Sequence, residues 1–343
     1  MIIRSRAPLR ISFAGGGTDV SPYCDEKGGA VLNATFNKYV HTTLVPNKTG
    51  KMGLHSEDYQ TSVSYDINQE FLFDGNLDLI KACINKLYIQ RDHGFDIYIH
   101  TDAPPGSGVG ASSALVVAVL GAFREWLRLP YSDYELAELA FEIERVDLGI
   151  QGGQQDQYAA SLGGINFLEF SDGRTIVNSL RILPSVVSEL EERLALCYIG
   201  GSRMSAGIIN DQMQRYRDGE QQSLEAFDET KALAIEAKKH LLSGEIDDFA
   251  KVIDRAWNAK KNLSTKISNP FIDVVYSSAI SSGAIGGKIT GAGGGGYMFF
   301  ICQYDKKKDV IEAIRKYGCQ LVDFSFEANG VRAWRVSEKG IVR

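Results

Sequence analysis

The chain has 343 residues, and its 37 Lys and Arg against 43 Asp and Glu give a formal net charge of −6. Hydrophobic residues supply 44% and charged residues 23%, which excludes global disorder and leaves room for about two domains at roughly 150 residues each. No basic run is long enough to track a phosphate backbone, so nucleic-acid binding is excluded as the main activity. Any anionic ligand must be caught by a local pocket.

Five cysteines (Cys24, Cys83, Cys197, Cys302 and Cys319) are odd in number and never form a CxxC pair. That pattern argues against a disulfide framework and against a structural zinc site. Met1-Ile2-Ile3-Arg4-Ser5-Arg6 carries charges where a signal peptide needs an apolar run. No stretch approaches the ~18 uninterrupted apolar residues of a transmembrane helix. The expectation is a reduced, cytoplasmic chain with no membrane contact.

In chain order, residues 8–14 and 30–47 are strand-like, with alternation through Tyr39-Val40-His41-Thr42-Thr43-Leu44-Val45. Gln60–Ile67 alternates as well, and so do Phe95, Ile97 and Ile99 against Asp96, Tyr98 and His100. Between them, Leu77, Ile80, Cys83, Ile84, Leu87 and Tyr88 fall at helical spacing. A helix is predicted over 111–127, and another from a capping box at Ser132-x-x-Glu135 to residue 148. Two long helices fit 205–243 and 245–262. The tail reads as a strand (298–302), a helix (306–317) and two strands (320–326 and 331–336). This mixed order predicts an α+β class. A domain change is expected near residue 190, before the apolar Leu194–Ile199 strand, giving units 1–190 and 191–343.

Glycine is the compositional anomaly, at 35 residues where ~7% is usual. It clusters at Gly15-Gly16-Gly17, Gly106/Gly108/Gly110, Gly152-Gly153 and Gly286 through Gly296, as it does where backbone turns tightly or approaches a ligand closely. The run from Pro104 to Ala114 follows a strand and opens an apolar helix. Gly106, Ser107, Gly108, Val109, Gly110 and Ala111 would present successive amides to an anion, and Ser112 and Ser113 add hydroxyls suited to a phosphate oxygen or a magnesium ion. A plain connecting turn is the alternative. A third is the dinucleotide fingerprint Gly106-x-Gly108-x-x-Ala111. It needs an acidic residue at the next strand end ~20 positions on, where this chain has helix. Gly283–Thr290 is no P-loop, because Ile289 occupies the Ser/Thr place, and the protein-kinase motifs are absent.

Three motifs in order resemble those of the GHMP kinases, the superfamily of galactokinase, homoserine kinase and mevalonate kinase. They are Pro8–Asp19, the Pro104–Ala114 loop, and Lys288-Ile289-Thr290-Gly291-Ala292-Gly293-Gly294-Gly295-Gly296. Within the superfamily, Gly15-Gly16-Gly17-Thr18-Asp19, Gly200-Gly201-Ser202-Arg203-x-Ser205 and Trp257-x-x-Lys260-Lys261-x-Leu263-Ser264 resemble the heptose 7-phosphate kinases, with fucokinases as neighbours. The resemblance implies a ribosomal protein S5 domain 2-like N-terminal domain that binds ATP and a ferredoxin-like C-terminal domain. It also implies ATP-dependent phosphorylation of the anomeric hydroxyl of D-glycero-D-manno-heptose 7-phosphate, for nucleotide-activated heptose. The implied partners are Mg2+, ATP and a phosphosugar, with self-association as a homodimer. A decarboxylase of the same fold and a non-catalytic homologue are the rival classes.

Phosphoryl transfer needs a metal, a phosphate cradle, a base and a cation. By resemblance, Ser112 and Glu144 hold magnesium, with Ser113 in reserve because Ala111 replaces the first of two serines. Asp156 takes the proton of the sugar hydroxyl, although it could instead cap the helix after it. Arg10, in the apolar strand Leu9–Phe13, pairs with that aspartate or steadies the phosphoryl group. Gly17, Thr18, Asp19 and Gly293 are expected at the sugar, and Arg203 and Lys261 at its phosphate. Glu57 and His55 are further candidates for a sugar pocket.

Overall fold

Period-two apolar patterning builds the first layer of the fold. The computed structural model describes residues 1–201, 205–337 and 340–342. β1 (Ile2–Ala14) leads through α1 (Tyr23–Lys27) to β2 (Gly29–Asn47), which pairs antiparallel with it. β3 (Lys51–Ser56) and β4 (Thr61–Asp66) follow, then α2 (Asp78–Leu87) and β5 (Gly94–Thr101). β5 lies antiparallel to β2 and parallel to β3. The next helix, α3 (Ala111–Leu127), has Val116 through Leu120 fully buried and packs on β1 and β2; such a helix, apolar on every side, is an interior one.

α4 (Asp133–Phe141) starts with the expected capping box, in which Ser132 and Glu135 satisfy each other's backbone amides. It runs into a π-helical turn over Glu142–Asp147, a distortion that concentrates at functional sites. α5 (Gln155–Leu162), β6 (Ile165–Ser171), β7 (Arg174–Ser179) and α6 (Pro184–Arg193) complete this half. β6 takes the edge of β2 that β5 leaves free, pairing with Gly29–Ala34.

The second half comprises β8 (Leu194–Tyr198), α7 (Ser205–Arg217), α8 (Gln221–Ser243), α9 (Ile246–Lys261), α10 (Pro270–Ser281), β9 (Ala284–Ile289), β10 (Tyr297–Cys302), α11 (Lys307–Arg315) and β11 (Gln320–Leu321). Its strands lie in the order β11-β8-β10-β9, all antiparallel. Numbered within the unit, that order is 4-1-3-2 with helices after the first and third strands, which is ferredoxin-like. The chain then returns: β12 (Arg332–Ser337) and β13 (Gly340–Val342) extend the first sheet beyond β1. The division at 190/191 therefore does not partition the sheets, because the last strands belong with the first.

Other expectations need correction. The segment 205–243 is two helices, because Gly219 sits at φ +68° after α7 and breaks the run. Residues 322–326 are not a strand; Phe326 instead bridges to Phe36 of β2. α3 is followed by α4 and not by a strand, which removes the dinucleotide alternative. No helix among the described residues is long and apolar enough to cross a membrane.

Candidate active site

The chain turns that join these elements meet in one cleft between the two sheets. Its lining includes Arg10, Gly17, Asp19, Gly106, Ser107, Gly108, Gly110, Ala111, Ser112, Ser113, Glu144, Asp156 and Lys260, around a cavity of about 180 Å³. Residues up to 280 positions apart are bonded here.

Arg10 comes from the middle of β1 and is only 6% exposed. Its guanidinium grips Asp156 with two parallel bonds, Nε to Oδ1 at 2.7 Å and Nη2 to Oδ2 at 2.9 Å. Nη1 donates to the Gly108 carbonyl at 2.7 Å. A bidentate charge-assisted pair of this kind fixes the orientation of both groups. Asp156 is the second residue of α5, not its cap. The capping work is done by Asp19, whose Oδ2 accepts from the amides of Gln154 and Gln155 at 3.1 and 3.2 Å. The Asp156 side chain stays 22% accessible against 7% for Arg10, so the carboxylate keeps an open side toward the cleft.

The glycine loop bends because Gly106, Gly108 and Gly110 all adopt positive φ, between +73° and +78°. A Cβ on Gly110 would also crowd Asp156, at 3.3 Å from its Cγ. The first amides of α3 lack intrahelical acceptors, and Gly110–Ser113 line the cleft, an arrangement that suits an anion. Glu144, 1% exposed, hangs over the same helix end. It accepts from Ser112 Oγ at 2.9 Å, Ser113 Oγ at 2.6 Å and Gln157 Nε2 at 2.5 Å. Both serines therefore reach the same carboxylate.

Two buried lysines complete the electrostatics. Lys260 Nζ donates to the Gly16 carbonyl at 3.0 Å, and burial pushes its pKa down to about 8, with Asp19 opposing that shift and Arg10 adding to it. Lys288 Nζ donates to the carbonyls of Ser12 and Ile289 at 2.8 and 3.1 Å. Burial, then Lys260 and Arg10, hold it well below the usual lysine range.

Several expected contacts lie elsewhere. Thr18 is fully buried and ties its hydroxyl to the carbonyls of Gly15 and Ala30, so it closes the turn and does not line the cleft. The Val109 side chain points into the core, so this residue can act in the loop only through its backbone. A Cβ on Gly293 would meet the Ile267 backbone at 2.8 Å, which makes that glycine a packing residue. Lys261 stands over the Trp257 ring at 5.8 Å, outside the cleft. His55 stacks on Tyr98, and Glu57 is exposed; neither lines the cleft. Arg203 lies outside the described residues.

The residues that were missed are Lys260, Gln155, Gln157, Gln212 and Arg145. A signal for Lys260 existed: Phe249, Ile253, Ala256 and Lys260 are spaced at helical intervals on the buried side of α9, and Lys261 is one step off that stripe.

Family models match both halves of the chain: GHMP kinases N terminal domain over 78–164 and GHMP kinases C terminal over 235–319. The chain is a GHMP kinase. D-glycero-alpha-D-manno-heptose 7-phosphate kinase of Campylobacter jejuni is 43% identical, over 97% of this chain and 99% of its own. A crystal structure of a D-glycero-D-manno-heptose 1-phosphate kinase from Bacteroides thetaiotaomicron superposes with a TM-score of 0.83 at 36% identity, covering 98% of this GHMP kinase and all of that chain. A putative sugar kinase from Campylobacter jejuni gives 0.80 at 43% identity, covering 98% of both. The chain is accordingly a phosphotransferase of the sugar-kinase type.

Proposed function

We propose that this kinase transfers the γ-phosphoryl group of ATP to the anomeric hydroxyl of D-glycero-D-manno-heptose 7-phosphate, giving the 1,7-bisphosphate for nucleotide-activated heptose. The observation that carries the reaction type is the Arg10–Asp156 pair facing the amide-lined start of α3. The substrate is supported by the name of the relative that is 43% identical along nearly the whole chain.

The triphosphate lies along Gly106–Ser113, held by amides and the positive helix end. A second cavity, of about 770 Å³, shares Gly106, Ala111, Ser112 and Ile150 with the cleft and has apolar walls including Phe73, Leu77, Ile99 and Leu115; it suits the nucleoside end. The Glu144 carboxylate and the two serine hydroxyls form a hard oxygen set that fits magnesium, which supplies charge neutralisation on the phosphates when bound. Asp156 accepts the hydroxyl proton as that oxygen attacks phosphorus, and the bidentate grip of Arg10 keeps the carboxylate aimed.

The test is a panel with ATP and magnesium: heptose 7-phosphate, heptose 1-phosphate, free heptose, fucose, galactose and mevalonate. Heptose 7-phosphate is expected to be turned over fastest; a free hexose that beats it overturns the substrate assignment. Arg203→Ala should raise the KM for heptose 7-phosphate and spare that for ATP, by about ten- to 150-fold for one charge-assisted contact.

A further inference from the structure

Beside the Arg10–Asp156 pair, the cleft wall around Gly16 and Gly17 is built of buried polar side chains, three of which carry an atom without a hydrogen-bond partner. Ser12, Gln155, Gln212 and Lys260 are 2%, 6%, 1% and 4% exposed, and all four line the cleft. Ser12 Oγ, Gln155 Oε1 and Gln212 Nε2 have no hydrogen-bond partner. They sit together: a Cβ placed on Gly16 would be 3.2 Å from Ser12 Oγ, 3.4 Å from Gln155 Nε2 and 3.6 Å from Lys260 Nζ, and one on Gly17 would be 3.4 Å from Gln212 Oε1. Buried polar atoms are ordinarily satisfied, so several orphans on one concave wall mark a place where a ligand supplies the missing bonds.

The other basic residues of the cleft are already committed. Arg10 is spent on Asp156 and Gly108, and Arg145 on the carbonyls of Gly153 and Ile150. Lys260 has one acceptor, the Gly16 carbonyl, and an ammonium has three hydrogens.

We propose that this wall is the acceptor subsite and that it takes two neighbouring hydroxyls of a sugar, with Lys260 and Gln212 donating to their oxygens and Gln155 Oε1 and Ser12 Oγ accepting their protons. This rests on the kinase reading above and adds which residues choose the acceptor. The Gln155 amide is oriented by its own bond from Nε2 to Asp19 Oδ2 at 3.2 Å, which leaves Oε1 as a fixed acceptor. A vicinal diol offers donors and acceptors and satisfies every orphan. A carboxylate offers acceptors alone and would set its oxygens against Gln155 Oε1. The subsite thereby selects a polyol over a hydroxy acid.

The experiment measures equilibrium binding of D-glycero-D-manno-heptose 7-phosphate by calorimetry in the presence of a non-hydrolysable ATP analogue. It uses the wild type, Lys260→Met, Gln212→Leu and Ser12→Ala, with steady-state KM values for sugar and ATP alongside. The expected result is at least tenfold weaker sugar binding in Lys260→Met and Gln212→Leu, with the affinity for the ATP analogue within twofold of wild type. Ser12→Ala removes a single hydroxyl and keeps the test alive if a larger change prevents folding; a threefold or greater loss of sugar affinity is expected there. A deoxy sugar lacking the hydroxyl that meets Gln212 should bind worse than the parent to wild type and no worse than the parent to Gln212→Leu. Sugar affinity unchanged in variants that still bind nucleotide overturns the subsite, as does a wild type that binds no sugar. Sugar binding that falls in the variants while the wild type shows no turnover supports the subsite and sinks the phosphotransfer reading instead.

Discussion

Lys260→Met tests the electrostatics of the cleft through stability, independently of any substrate. Burial lowers the lysine from 10.5 to about 8, and at about 1.4 kcal/mol per pH unit this gap corresponds to about 3 kcal/mol. The sign follows from proton counting. Below pH 8 the ammonium is charged in both states, and the folded chain bears the full cost of burying it. Between about 8 and 10.5 the folded chain has lost the proton that the unfolded chain keeps, so stability rises with pH by that amount. Methionine has a similar shape and no charge, so the variant lacks this rise. It also loses the bond to the Gly16 carbonyl, at about 1 kcal/mol, leaving the variant about 2 kcal/mol more stable than wild type near pH 7 and slightly less stable near pH 10. Lys288 is present in both proteins, and removing its charged neighbour moves its own titration upward, in the same direction. Urea unfolding of both proteins at pH 7 and pH 10 checks the difference. Parallel pH responses, or a variant less stable at pH 7, would refute the assignment of Lys260 as a strained buried cation.

Asp156→Asn should lower kcat by about 10²–10⁴-fold, the usual range for general acid–base help, with nucleotide affinity preserved; a loss below tenfold would shift the work to Arg10. Glu144→Gln should raise the magnesium concentration needed for half-maximal turnover and leave sugar KM unchanged. An unaltered magnesium titration would remove Glu144 from the metal set.

What the sequence reveals is what local pattern and local chemistry dictate. The bounds of α3 and the capping box at Ser132 fall where expected, because an apolar run and a Ser-x-x-Glu pair act over single turns. The cluster of Arg10, Ser112, Glu144 and Asp156 is legible only through motif resemblance, since all four lie on different elements and helix spacing alone cannot pick Glu144 from Glu138 or Glu142. Pairing partners are non-local and stayed hidden. The strand at 331–336 reads correctly as a strand, yet nothing in it tells that Arg332–Val336 pairs with β1 rather than with its sequence neighbours. Lys260 and Lys261 are told apart by the periodicity of α9, which puts Lys260 and not Lys261 on the buried side.

Contacts from both halves of the chain hold the glycine-rich loop before α3 in one orientation. Its carbonyls are claimed from behind by both halves of the molecule. Ser107 O accepts from Tyr297 N at 3.1 Å, Gly108 O from Thr290 Oγ1 at 3.0 Å and from Arg10, and Val109 O from Arg10 N at 3.0 Å. With the carbonyls turned back, the peptide dipoles point their amides forward, and the loop presents positive charge without a basic side chain of its own. Contacts from the third motif are close enough to require glycine there: a Cβ on Gly296 would come within 2.1 Å of Ser107 O. The two motifs are therefore one device, in which the C-terminal glycines let backbone press against the loop and the loop's orientation follows from that pressure. Arg10 joins the same device to Asp156, since one guanidinium holds both Gly108 O and that carboxylate. Under the proposed reaction, in which the loop cradles phosphate and Asp156 accepts the proton, this tie keeps the two in a fixed relation, as in-line transfer requires.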